Sequence, residues 1–241
     1  MILEEGERIE DLQCNGLKII QNKNLYTFTS DSVILANYVK TKFSDTAVEI
    51  GAGCGVVSIL VQAKNKLKKI FAFEIQEKMQ KLCKKNIDLN NLSEKITLFC
   101  DDIKNFDKHI APNSIDVVYS NPPYFKPTNF TQNEVKKYSK EEVLLSCKDL
   151  ILTASKMLKS GGTFYCSYSA ERSCELITNC ENAGLKIKEM FFTENGKGEV
   201  KLIFIKAVKD GKSGVKVLPN LITNETDGTY LEKLKTKNYL N

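Results

Sequence analysis

Short apolar runs alternate along this chain with longer segments whose apolar residues recur at helical spacing, the pattern of strands and helices taken in turn. A strand over residues 46–50 leads into a glycine-rich turn and a helix from Val56 to about Lys66. A strand over 69–75 precedes a lysine-faced helix over 76–90, in which Met79, Leu82, Cys83 and Ile87 form the buried stripe. Residues 96–100 read as a strand, and the run Ile115-Asp116-Val117-Val118-Tyr119 as another, stopping at Asn121. An amphipathic helix over 141–158 is expected to close at Gly161-Gly162, followed by a strand over 163–167 and a helix over 171–183 that stops at Gly184. Two last strands, 186–193 and 200–207, have no room for a helix between them and are joined by Glu194-Asn195-Gly196-Lys197-Gly198.

Repeated strand–helix units imply a parallel sheet with helices on both faces, and the closing hairpin adds one antiparallel strand. The expected fold is therefore α/β, Rossmann-like, with a seven-stranded, mostly parallel sheet. Upstream, Asn15-Gly16 between alternating apolar positions signals a small N-terminal β-hairpin. A helix over 29–43 should follow, capped by Ser30 or Asp31, with Val33, Ile34, Tyr38 and Val39 on one side. The chain divides into a hairpin extension over 1–28, a main domain over 29–209 and a tail over 210–241, which reads as irregular and peripheral around Gly211, Gly214 and Pro219.

Composition narrows the chemistry. With 42% hydrophobic residues in 241, the chain can bury an ordinary core. No apolar run reaches the ~18 residues of a membrane span, and the acidic start Met1-Ile2-Leu3-Glu4-Glu5 lacks the order of a secretory signal. A cytoplasmic protein is expected. The eight cysteines are scattered without a CxxC pair, so they read as reduced core thiols rather than as metal ligands or disulfides. His109 is the only histidine, which leaves little basis for a metal site or a histidine-based triad. The net charge of +5 comes almost wholly from lysine, with only Arg8 and Arg172 as arginines, and gives weak support to a phosphate-bearing partner.

Two segments carry the chemistry. Glu49-Ile50-Gly51-Ala52-Gly53-Cys54-Gly55 follows a strand and opens a helix, and its three glycines let the backbone approach a ligand closely. Glu49 would repel a pyrophosphate but suits a ligand with an ammonium or sulfonium group, as in S-adenosyl-L-methionine. Glu74 ends the next strand, where a carboxylate can accept from both hydroxyls of a ribose. Asp101 and Asp102 end the third, and Asp102 is the preferred acceptor for an exocyclic adenine amine.

The second segment is Asn121-Pro122-Pro123-Tyr124. Two prolines cannot continue a strand ladder, so the chain turns sharply at the sheet edge where such folds bind ligands. An amine conjugated to a purine ring is a poor nucleophile. The Asn121 side-chain oxygen and the Pro122 carbonyl could accept from both its N–H groups and direct its lone pair at a methyl donor. The proline pair would stiffen the turn, and Tyr124 offers a face for stacking a base splayed out of its helix. No general base is needed, because the proton can leave after transfer.

These segments together resemble the class I S-adenosylmethionine-dependent amino-methyltransferases. Residues 11–21, Phe28-Thr29-Ser30-Asp31 and Val33-Ile34-Leu35-Ala36 are similar to the N-terminus of bacterial tRNA adenine-N6 methyltransferases, which modify an adenine beside the anticodon, in valine tRNA where characterised. The run Asn121-Pro122-Pro123-Tyr124-Phe125 and residues 211–219 resemble the same family's Gram-positive branch. The resemblance implies S-adenosyl-L-methionine as cofactor and tRNA as partner, with no membrane and no metal. It places Thr29 and Asp31 at the methionine end of the cofactor, Glu74 at the ribose and Asp102 at the adenine, with Glu49, Gly51, Gly53, Gly55, Ile75 and Asn121 also among the cofactor-binding residues. In that family a basic segment follows the tetrapeptide; here Lys126, Lys136, Lys137 and Lys140 stand in it. The same tetrapeptide serves enzymes that methylate ribosomal RNA or a protein glutamine, and a cofactor-retaining RNA-binding module is the non-enzymatic alternative.

Overall fold

In the computed structural model residues 2–123 and 145–223 are described. A hairpin of β1 (Glu7–Asp11) and β2 (Lys18–Asn22) opens the chain. Asn15 and Gly16 take φ of 50° and 72° at the centre of its connection, which the Leu17 N–H closes onto the Cys14 carbonyl at 2.9 Å. Then come α1 (Ser30–Tyr38), β3 (Thr46–Ile50), α2 (Val56–Asn65), β4 (Lys69–Phe73), α3 (Glu77–Leu89) and β5 (Ile96–Phe99). A 3-10 turn (Ile103–Lys108) leads to β6 (Ile115–Ser120), and α4 (Cys147–Met157) runs directly into β7 (Leu158–Ser169). The chain continues through α5 (Ser173–Asn182), β8 (Leu185–Asn195), β9 (Val200–Lys209), β10 (Lys216–Val217) and β11 (Leu221–Thr223).

The main sheet runs β8-β9-β7-β6-β3-β4-β5. Every pairing in that path is parallel except those of β9, which lies antiparallel to β7 and β8. These are the seven strands expected. The tail adds two more: β10 and β11 both pair in parallel with β8, making a nine-stranded sheet. β8 would otherwise end the sheet with open hydrogen-bonding groups, which short flanking strands satisfy without needing a strong apolar pattern of their own.

Two other boundaries differ from the sequence reading. α1 stops at Tyr38, because Val39 turns extended (ψ 119°), and Phe43 lies 71% exposed in the connection. Gly161 and Gly162 do not end α4. They sit inside β7, where the register against β6 shifts between Ile115 and Val117, and a Cβ on Gly162 would come within 2.9 Å of the Lys159 carbonyl.

Successive strand residues face opposite sides, so β3 and β6 split their side chains between two apolar cores. Ala47 and Val117 join the core beneath α1, α2 and α3, with Ile34, Ile59 and Met79. Val48, Ile50 and Val118 join the core beneath α4 and α5, with Leu150, Ile151 and Leu176. Each buried Val, Leu, Ile or Met among these contributes about 1.5–3 kcal/mol, and Ala47 less. The hairpin docks by burying Ile19 and Ile20 in the first of these cores, and through amides as well. Asn86 on α3 accepts from the Ile20 N–H at 2.6 Å and donates to the Ile20 carbonyl at 3.0 Å. Asn90, a turn later, does the same for Lys18. Side-chain amides thus occupy the place of a neighbouring strand along the edge of β2.

From β3 the chain builds outward through β4 and β5, and from β6 it builds the other way through β7. The gap between the carboxyl ends of β3 and β6 is the topological switch point, where open α/β sheets bind ligands.

Candidate active site

The glycine loop leaves β3 at that point. The N–H groups of Gly51 and Ala52 both donate to the Phe73 carbonyl, at 3.0 and 2.8 Å, which ties the loop to the end of β4. Gly51 has φ of +74° and nothing within 4 Å of where a Cβ would sit, so the backbone lies bare on that side. Gly55 begins α2 with φ of +87°, and a Cβ there would meet the Cys83 sulfur at 2.7 Å. One glycine opens space; the other closes the packing of α2 on α3.

Glu74 follows β4 and is 5% exposed. One carboxylate oxygen accepts from the Gly53 N–H at 2.8 Å and the other from the Gln76 N–H at 2.9 Å. Burial pushes its carboxyl above the ordinary range, against the pull of those backbone donors. Glu74 therefore fixes the loop while lining a cavity with Gly51, Gly53, Ile75, Asp101, Asp102 and Asn121.

The two aspartates are held differently. Asp101 accepts from the Asn105 amide at 2.9 Å and the Asp102 N–H at 2.8 Å, and lies 2.8 Å from His109 Nε2. The Asn105 bond first, and then His109, hold its carboxyl down to about 2. His109 itself packs its ring on Phe99, with centroids 4.3 Å apart. The only histidine is thus a support for an acid at the cavity wall. Asp102 caps the 3-10 turn, accepting from the Lys104 N–H at 2.9 Å.

Asn121 ends β6 from the other side of the switch point. Ser120 anchors it, donating to the Ile50 carbonyl at 2.8 Å and joining the ends of β3 and β6. The Asn121 carboxamide is held at both ends: its Nδ2 donates to Ser32 Oγ at 3.1 Å, and its Oδ1 accepts from Ser167 Oγ at 2.6 Å. Pro123 lines the cavity beside it. Tyr124 and the lysines at 126, 136, 137 and 140 lie outside the described residues.

Not every expected residue faces the cavity. Gly51, Gly53, Glu74, Ile75, Asp102, Asn121 and Pro123 line it; Thr29, Asp31, Glu49, Gly55 and Pro122 are not among the described residues that do. Thr29 is the N-cap of α1 and donates to Asp31 at 3.0 Å, beside the cavity rather than in its wall. Glu49 is 2% exposed beneath α2, accepting from the Ser58 N–H at 3.1 Å and from the Ser58 hydroxyl. Burial, opposed by those bonds, pushes its carboxyl up to about 8. The strand alternation explains this placement, since it turns Glu49 with Ala47 under the helices. Sequence reasoning missed Tyr26, Phe73, Ile103 and Leu145 in the wall. Tyr26 stands outside any motif, and the apolar residues looked like ordinary core.

A parallel sheet with a reversed closing strand, a glycine loop at its switch point and two acidic strand ends beyond it defines the class I methyltransferase fold. Solved structures agree on that fold: a predicted O-methyltransferase of Agrobacterium tumefaciens superposes with a TM-score of 0.66 at 17% identity, covering 87% of this chain and 96% of that one. A tRNA m1G37 methyltransferase of M. jannaschii gives 0.62 at 19% identity, covering 86% and 58%. The family described as Methyltransferase small domain matches residues 26–183, and the chain belongs to it. Two curated relatives are named tRNA1(Val) (adenine(37)-N6)-methyltransferase. The one from Dyadobacter fermentans is 24% identical over 201 residues, covering 83% of this chain and 82% of its own. The one from Shewanella frigidimarina is 25% identical over 220 residues, covering 90% and 83%.

Proposed function

We propose that this protein transfers a methyl group from S-adenosyl-L-methionine to the exocyclic N6 amine of an adenine in tRNA, beside the anticodon. One observation carries the reading: Asn121 and Glu74, from opposite sides of the switch point, line a single cavity. The names of the two relatives, which span most of their own lengths and of this chain, supply the acceptor.

The residues fit the cofactor. The bare side of Gly51 admits a ligand against the backbone, and the carboxylate of Glu74 offers free lone pairs toward a ribose diol. Ile75 and Ile103 give apolar walls for an adenine, with Asp102 as the acceptor for its amine. Thr29 and Asp31, at the start of α1, are assigned to the methionine end. Glu49 contributes from beneath, by fixing Ser58 and the first turn of α2 under the glycine loop. When bound, the cofactor supplies an electrophilic methyl on a sulfonium centre.

At the acceptor, the Asn121 oxygen and the Pro122 carbonyl accept from the two N–H groups of the target amine. This draws its lone pair out of conjugation and toward the methyl. Tyr124 stacks the base once it is out of the RNA, a contact worth about 1–3 kcal/mol. The proton leaves after transfer, so the site needs no general base.

The test is mass spectrometry of tRNA nucleosides from cells lacking the gene, paired with incorporation of labelled methyl into that tRNA by the purified protein. A missing N6-methyladenosine that the protein restores supports the reading. Unchanged N6-methyladenosine, or binding of tRNA without transfer, overturns it.

A further inference from the structure

We infer that Ser32 and Ser167 are positioning residues for methyl transfer, clamping the Asn121 carboxamide so that its oxygen is already set for the acceptor amine. This inference rests on the function proposed above and assigns roles to two residues that no sequence motif marks.

The terminal torsion of a free asparagine is broad and nearly two-fold, so an unheld carboxamide at a cavity wall would sample many planes. Such an asparagine would have to be ordered anew for every turnover, and a misplacement of about 1 Å can cost on the order of a hundredfold in rate. Here the two ends of the amide are gripped from different elements. Ser32, on the first turn of α1, accepts from Nδ2, and Ser167, in β7, donates to Oδ1. Because α1 packs over the face of the sheet from which Asn121 and Ser167 project, the carboxamide lies between a helix and a strand.

The serines themselves are hard to explain as packing. Ser32 is 5% exposed and Ser167 0%. Ser167 sits in a strand beside the wholly buried Tyr165, Cys166 and Tyr168, where an alanine would fill the place without bringing a hydroxyl out of water. A buried hydroxyl at that position is compensated by the bond it makes, and that bond is to Asn121. A carbonyl oxygen has two lone pairs. Ser167 occupies one and fixes the plane, and the other remains for the amine. The clamp also gives α1 a share in the chemistry: the helix that begins with Thr29 and Asp31 holds the acceptor group through the next residue along.

The experiment uses the full-length protein, labelled S-adenosyl-L-methionine and bulk tRNA from cells lacking the gene. Single-turnover rates and cofactor Kd are measured for Ser32→Ala, Ser167→Ala and each combined with Asn121→Ala. Each serine variant is expected to lose roughly ten- to a hundredfold in rate while its cofactor Kd moves less than about threefold. In the Asn121→Ala background the same serine changes should add less than about twofold, since residues acting through one partner are not additive. Ser32→Ala, at a helical position that favours alanine, keeps the test readable should Ser167→Ala fold poorly. Full rate in both serine variants, a Kd loss that matches the rate loss, or losses that multiply in the Asn121→Ala background would each overturn the inference. An inactive Asn121→Ala beside fully active serine variants removes the clamp and leaves the proposed function standing. A fully active Asn121→Ala removes both.

Discussion

Ser58 binds Glu49 twice, through its backbone N–H and its hydroxyl, and the same hydroxyl lies 2.9 Å from the Tyr119 phenol. The first turn of α2 is thereby joined to β3 and β6 by a buried chain of polar groups directly behind the glycine loop. A carboxyl so enclosed favours its neutral form, and its protonation is linked to the stability of the whole domain.

Burial raises the Glu49 carboxyl from an ordinary 4.5 to about 8. Between those values the folded state holds a proton that the unfolded state has released. The stability this group contributes is complete below the lower value and is lost as pH rises through the upper one, at up to about 1.4 kcal/mol per unit. Glu49→Gln keeps an acceptor for Ser58 without the titration. Urea unfolding from pH 5 to 9 should therefore show the native protein weakening relative to the variant as pH rises. A constant difference between the two across that range would remove Glu49 as the source.

Asn121→Ala should lower methyl transfer by at least about a hundredfold, the scale of a lost positioning group in the transition state. Cofactor affinity should stay within a few fold, because the role proposed for the residue is toward the acceptor amine. Single-turnover rate and calorimetric Kd, measured on one preparation, separate the two. Equal losses in both would place Asn121 in cofactor binding instead.

Glu74→Ala removes a carboxylate that holds the N–H groups of Gly53 and Gln76. Two part-buried donors lose their partners, at up to about 1–3 kcal/mol each, and the proposed ribose acceptor is removed. Cofactor Kd should rise more than about tenfold, with a lower unfolding midpoint, whereas Glu74→Gln should recover part of the stability and little of the affinity. An unchanged Kd in Glu74→Ala would take the residue out of the site.

The two end glycines of the loop should fail differently. Gly55→Ala combines a left-handed backbone with a 2.7 Å approach to Cys83 and should cost about 3 kcal/mol of stability. Gly51→Ala meets no atom within 4 Å, so it should cost only about 1–2 kcal/mol while weakening the cofactor. Denaturant unfolding and cofactor titration of the pair check the contrast. Equal stability losses would mean that Cys83 yields to the added methyl.

What was legible in the sequence follows from which residues constrain backbone. Gly51, Gly53, Gly55, Pro122 and Pro123 permit or forbid particular φ values, so their positions at strand ends could be read from the chain alone. The hairpin was legible for the same reason, through Asn15-Gly16. Glu49 was legible as an acid at the right place but not in its orientation, although counting in twos from Ala47 would have turned it under α2. Ser32 and Ser167 gave no signal, because serine fits loops, caps and strands alike and its role here depends on a neighbour far away in sequence. β10 and β11 were hidden too: strands of two and three residues take their existence from the open edge of β8 rather than from their own composition.

Asn86 has one more bond, from the amide that grips Ile20 to the carbonyl of Cys54, at 2.9 Å. A single side chain therefore bonds both the N-terminal ribbon and the glycine loop. The family match starts at residue 26, after that ribbon. A version lacking only residues 1–25 would retain every strand of its main sheet while taking from Asn86 the Ile20 backbone groups that orient its amide behind the glycine loop, so the ribbon belongs to the working parts of the molecule rather than to its trim.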